Sequence, residues 1–174
     1  MVKIIISGGQ TGVDRAALDS AINLNIAYGG WCPKGRLDEM GVMPEKYNQL
    51  REVSGHFYNE KENYDARTKL NIRDSDGTLI VVPQRPLPAQ IKDGTLLTID
   101  QVKKQNKPFL IISLSESHTN NSHKITEWIS LNNITTLNIA GPRESNSPGI
   151  YQLSFFLLSK ILYELKAHQI KPKL

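Results

Sequence analysis

The segment Ser7-Gly8-Gly9-Gln10-Thr11-Gly12 lies between a strand-like apolar run and a helical pattern. Its unhindered backbone N–H groups, with a helix N-terminus behind them, can approach an anion, and phosphate is the natural guest. The spacing is neither the dinucleotide G-x-G-x-x-G nor a P-loop ending in Gly-Lys-Ser/Thr, so neither a nicotinamide nor an ATP site follows from it. The same glycines also serve a tight strand-to-helix turn, although Gly8, Gly9 and Gly12 exceed what such a turn needs. Asp14-Arg15 opens the helix. Asp14 either complements the helix dipole or meets a ligand, and Arg15 either pins an anion or forms a surface ion pair.

Three other segments carry chemistry-bearing residues. Gly29-Gly30-Trp31-Cys32-Pro33-Lys34-Gly35-Arg36 follows a second strand, and loops after adjacent parallel strands meet at one crevice. Lys34 and Arg36 are therefore expected to face the first glycine turn, with Trp31 either stacked on a planar ligand or simply packed. Asp93-Gly94-Thr95 opens a later helix as a second phosphate cradle or a plain N-cap. Ala140-Gly141-Pro142-Arg143-Glu144-Ser145 follows the last strand, which places Arg143 at the same crevice with Glu144 as its ion-pair partner. Asp74 and Asp76 precede a strand, on the side away from ligands, and read as structural. Cys32 has no neighbouring His to activate it, and His56, His118, His123 and His168 read as solvated loop or tail residues.

The elements that must position these residues follow from periodicity. Val2 to Ile6 is a β-branched run typical of a strand buried on both faces. Thr11 with Asp14 resembles a capping box for a helix whose Val13, Ala17, Leu18, Ala21 and Ile22 share one face. Further strands are expected at Ile26 to Gly29, Thr78 to Val82, Phe109 to Ser113 and Thr136 to Ala140. Helices are expected at 60–73, 95–106, 122–132 and 149–167. This alternation is α/β logic and predicts a doubly wound, mainly parallel sheet with helices on both faces. Residues 31–57 read as a long functional loop with one short edge strand near Leu50 to Val53. In the last helix Phe155, Phe156, Leu157 and Leu158 point all round the axis. One face is then left for a neighbouring helix or a second copy of the chain, and a homo-oligomer is expected.

The 174 residues are 39% hydrophobic, enough for one domain spanning 1–174 that buries roughly 70% of its unfolded surface without disulfide or structural metal. A single Cys, no zinc-ligand spacing and neither leader nor membrane-length apolar run predict a cytoplasmic, metal-free fold. Three of the four net positive charges fall in the tail, residues 166–174, as Lys166, Lys171 and Lys173. The body is nearly neutral, so nucleic acid is not an expected partner.

Taken together, GGQTGVDR from Gly8, GGWCPKGR from Gly29, RDSDGTLI from Arg73 and AGPRES from Ala140 with PGIY from Pro148 resemble bacterial proteins named as molybdenum-cofactor carriers. The resemblance spans nearly the whole chain. It implies a Rossmann-like domain of the lysine-decarboxylase-like group, which includes nucleotide phosphoribohydrolases and a DNA-processing protein, commonly as dimers or tetramers. It also implies a ligand site built from the first glycine turn and a later glycine-threonine turn, here Gly8 to Gly12 and Gly94-Thr95. Where the phosphoribohydrolases place acidic catalytic residues after that second motif, this chain has Leu96, Leu97 and Thr98, which argues against N-glycosidic cleavage.

The function expected is binding of a phosphorylated, pterin- or nucleotide-like molecule, with molybdenum cofactor as cargo. Gly8, Gly9, Gln10, Thr11, Gly12, Gly94 and Thr95 would cradle it, Arg15, Lys34, Arg36 and Arg143 would neutralise it, and Gly35 and Trp31 would complete the site. The alternative is a nucleotide-processing hydrolase using Asp14 or Glu144 as the acid-base group.

Overall fold

The computed structural model describes residues 2–92 and 94–170. Its main sheet has the parallel order β2-β1-β9-β7-β8, formed by β1 (Ile4–Ile6), β2 (Ala27–Gly29), β7 (Gly77–Val82), β8 (Phe109–Ser113) and β9 (Thr136–Ala140). Helices α1 (Val13–Asn23), α4 (His118–Leu131) and α5 (Ile150–Ile170) cover one face, while α2 (Glu60–Arg73) and α3 (Gly94–Lys104) cover the other. The chain is therefore α/β with a parallel sheet, as its periodicity predicts, and Rossmann-like, as the resemblance implies. All six residues of β7 are buried, which its unbroken apolar run requires of a strand covered on both sides.

Local chemistry sets the helix ends. Asn59 caps α2 by accepting from the Glu62 N–H, and Ser117 caps α4 by accepting from the Asn120 N–H. Asn25, Asn106 and Asn133 all adopt left-handed φ near 50° just past α1, α3 and α4. In each case the next residue donates back into the last helical turn, Ile26 to Ala21, Lys107 to Val102 and Ile134 to Ile129. The helix expected from about residue 122 starts earlier because Ser117 is its cap.

Two local expectations are corrected. The Thr11–Asp14 capping box does not form: Gly12 is the N-cap of α1, with φ of 74°, and the Thr11 hydroxyl turns to Glu39. The segment 31–57 is structured, with β3 (Trp31–Cys32) pairing in parallel with β6 (Arg51–Glu52) and β4 (Leu37–Asp38) forming a hairpin with β5 (Gly41–Val42). The strand expected near Leu50 to Val53 exists, but it joins β3 rather than the main sheet. Leu18, Cys32, Met43, Tyr47 and Leu50 form a separate small core beneath this segment. In α5, Leu157, Leu158, Ile161 and Leu162 are buried, whereas Leu153, Phe156 and Tyr163 form an exposed stripe. No helix among the described residues is long and apolar enough to cross a membrane. Of the basic tail, Lys166 donates to the Leu24 carbonyl, while Lys171 and Lys173 lie outside the described residues.

Candidate functional site

The first glycine turn leaves the carboxyl end of β1 and enters α1. A Cβ on Gly8 would lie 1.6 Å from Nη1 of Arg67, because the Arg67 guanidinium occupies the space above this glycine. There it donates to Asp14 Oδ2 at 2.8 Å, in an ion pair whose side chains are only 11% and 3% exposed. Gln10 lies beside this pair, and its Oε1 accepts from the Thr11 and Glu39 N–H groups at 3.0 and 2.9 Å. With its oxygen so engaged, the buried Nε2 of Gln10 has no protein acceptor, and neither does the buried Nε of Arg67.

Gln10 and Arg67 line a crevice at the carboxyl end of the sheet, between α2 and α3. Its outer part, about 500 Å³, is lined by Tyr64 and Arg67 from α2, Gly94, Leu96 and Leu97 from α3, and Arg143 after β9. A small inner recess adds Gln10, Asp14 and Gly141 to Arg67, Gly94 and Arg143. The Arg143 guanidinium lies 5.7 Å from the centre of the Tyr64 ring. Thr95 is buried at the start of α3, and Thr98 closes that turn by donating to the Gly94 carbonyl. The sheet order thus brings the two glycine motifs and Arg143 together, as parallel strands do at their carboxyl ends.

Other candidates go elsewhere. Thr11, Gly12, Arg15 and Glu144 face a separate cavity of about 900 Å³. Through Nη2, Arg15 donates to Asp38 at 2.5 Å and to the Gly9 carbonyl, and it stacks 4.6 Å above the Tyr47 ring, while its buried Nε has no protein acceptor. Glu144 is not the partner expected for Arg143: it accepts from the Gly149 and Tyr151 N–H groups and caps α5. Arg36, in a left-handed conformation, donates to the Leu50 and Tyr47 carbonyls and ties the 31–57 segment together. Lys34 reaches the Gly55 carbonyl, and Gly35 makes a positive-φ turn whose N–H meets Glu52. Trp31 donates to Asp74 and lies under Arg51. Trp31, Lys34, Gly35 and Arg36 line neither cavity, because the short β3–β6 pairing carries them away from the glycine turn.

The remaining candidates are structural. Cys32 is fully buried, and burial pushes its thiol above the ordinary value, which removes the thiolate a nucleophile needs. Asp76 accepts from the Thr135 hydroxyl and the Thr135 and Thr136 N–H groups, fastening the amino end of β9. His118 is not a solvated loop residue: it is half-buried, edge-on to Phe156. The side chain of His168 lies outside the described residues. No group of three His, Cys, Asp or Glu side chains could hold a metal ion among the described residues. Arg67 is the crevice residue that sequence reasoning misses. It lies in a polar helix of no marked periodicity, and its only trace is the unexplained demand for glycine at position 8.

Residues 5–162 match the model of the circularly permutated YpsA SLOG family. A solved structure titled "Putative molybdenum carrier protein", from Syntrophus aciditrophicus SB, is 44% identical. The alignment covers 92% of this chain and 95% of that one, with a TM-score of 0.82. No curated protein matches the chain.

Proposed function

Because the chain belongs to the circularly permutated YpsA SLOG family, we propose that its crevice binds a phosphorylated, pterin- or nucleotide-like small molecule. Molybdenum cofactor is the first cargo to test, since the neighbour's name speaks of molybdenum and the sequence motifs resemble those of cofactor carriers. One observation carries the reading. Gln10 Nε2 and Arg67 Nε are buried donors without a protein acceptor, and they sit beside Arg143 between the two glycine motifs. An unspent buried donor costs about 1–3 kcal/mol, and a phosphate supplies the acceptors and charge that repay it. Arg143 neutralises the anion, Arg67 offers its Nε while its charge stays matched by Asp14, the Gly94-Thr95 turn offers backbone amides at the start of α3, and Gln10 donates its amide. Gly9 and Gly12, both with positive φ, shape the turn. A carried cofactor arrives with its own metal, so the protein needs no metal ligands.

The reading is of a binding protein rather than a hydrolase. Asp14 is held by Arg67 and Glu144 is committed to α5, so neither is placed as a spare acid or base in the crevice. We place the protein in the cytoplasm, self-associating through the exposed Leu153, Phe156 and Tyr163 stripe of α5. Native mass spectrometry of protein purified anaerobically, with molybdenum quantified on the same sample, tests the proposal. A pterin-sized mass with stoichiometric molybdenum is expected. A nucleotide that the protein turns over to free base or phosphate would overturn the carrier reading.

A further inference from the structure

The glycine turn has two sides, and consecutive residues divide between them. Gln10, Asp14 and Arg143 face the crevice, whereas Thr11, Arg15 and Glu144 face the cavity of about 900 Å³ behind it. The wall between is tight: a Cβ on Gly12 would lie 2.4 Å from the Pro142 carbonyl oxygen, so the two chambers do not merge there. The volume of this second chamber suits a small ligand. Met40, Pro44 and Pro148 give it apolar surface, and Tyr47 and Tyr151 both donate their hydroxyls to Asp19 at 2.8 Å.

Its charge leans the other way from that of the crevice, where Lys61, Arg67, Lys92 and Arg143 outnumber Asp14, Glu60 and Asp65. Asp19, Glu39 and Glu144 line the chamber against only Arg15 and Lys46, and Arg15 is already matched by Asp38. All three carboxylates accept hydrogen bonds from the protein, so it is the excess of acids over cations, and not an empty acceptor, that disfavours an anion here. The structure also displays what the chamber accepts: the Lys46 ammonium lies 2.8 Å from Asp19 Oδ1 and 4.9 Å from the centre of the Tyr47 ring. Lys46 is 55% exposed, so this internal ammonium can yield its place.

The geometry points to a second binding site, for a small organic cation: an amine on an apolar body, held by the Asp19–Tyr47–Tyr151 niche and by Glu39, with its apolar part against Met40, Pro44 and Pro148. The site stands independently of the ligand proposed for the crevice. Tyramine is the probe, 4-ethylphenol its uncharged counterpart, and isothermal titration the measurement. Saturable tyramine binding is expected, with 4-ethylphenol at least five-fold weaker. Glu39→Gln should weaken tyramine binding. Lys46→Met removes the internal competitor at an exposed position and should tighten it by about two- to five-fold, the worth of a surface ion pair. Arg143→Ala, in the other chamber, should leave it no weaker. Absent or non-saturable binding, equal binding of 4-ethylphenol, or weaker binding by Lys46→Met overturns the site. A loss of tyramine binding in Arg143→Ala would place the amine in the crevice and overturn it as well.

Discussion

Arg36 and Arg67 both come from segments that pack around the first glycine turn, and they are used in opposite ways. Arg36 gives its guanidinium to two backbone carbonyls of its own loop, while Arg67 crosses to Asp14 and keeps a buried N–H unspent in the crevice. The first fixes a loop; the second leaves capacity for a ligand. Positive charge near a glycine turn does not by itself mark an anion site. What separates these two arginines is donor capacity that the fold does not consume, which Arg67 keeps and Arg36 does not.

Substitutions can break this contrast, and the largest effect is expected at Gly8. Gly8→Ala pushes the flexible end of Arg67 off Asp14, and loss of this buried charged hydrogen bond costs about 1–3 kcal/mol. Chemical denaturation should show that loss, and a change below 1 kcal/mol would mean that Arg67 relaxes away freely. Next, Arg143→Ala should weaken binding of the phosphorylated ligand by about 30-fold or more. Arg36→Ala should act on stability instead. Loss of its carbonyl contacts is worth roughly 1–2 kcal/mol of stability, with ligand affinity preserved.

The smallest effect concerns Glu39, which joins the β4–β5 hairpin to Thr11 and Ser145. Burial pushes its carboxyl up, but hydrogen bonds from Ser145 and Thr11 outweigh burial and hold it below the ordinary 4.5. A group depressed in the folded state contributes stability that is present above its unfolded value and lost as pH falls through the folded one. Wild type should therefore exceed Glu39→Gln by up to about 1 kcal/mol at pH 7. The gap should close below pH 4.5, as followed by denaturation at several pH values.

The α/β alternation was legible because buried parallel strands are unbroken apolar runs and helices carry a 3.6-residue stripe; β8 and β9 fall where Phe109 to Ser113 and Thr136 to Ala140 place them. Sheet order then brings Gln10, Gly94 and Arg143 together, which the topology rule for parallel strands anticipates. The segment 31–57 was opaque because its elements are two-residue pairings and a short turn, too brief for any periodicity. Its arginine and lysine therefore read as ligand groups when they are spent on carbonyls. Glu144 misled for a related reason: adjacent opposite charges suggest a pair, but Arg143 and Glu144 leave the chain on opposite sides of the wall. Arg67 was hidden because a contact across 53 residues leaves no local signature.

The central claim is that the crevice, and not the neighbouring loop, holds the anionic ligand. Native mass spectrometry of wild type, Arg143→Ala and Arg36→Ala, purified side by side under anaerobic conditions, tests it most directly. The account predicts a copurified small-molecule mass on wild type and Arg36→Ala that is missing from Arg143→Ala. A mass kept by Arg143→Ala and lost from Arg36→Ala would contradict it and move the site to the 31–57 segment.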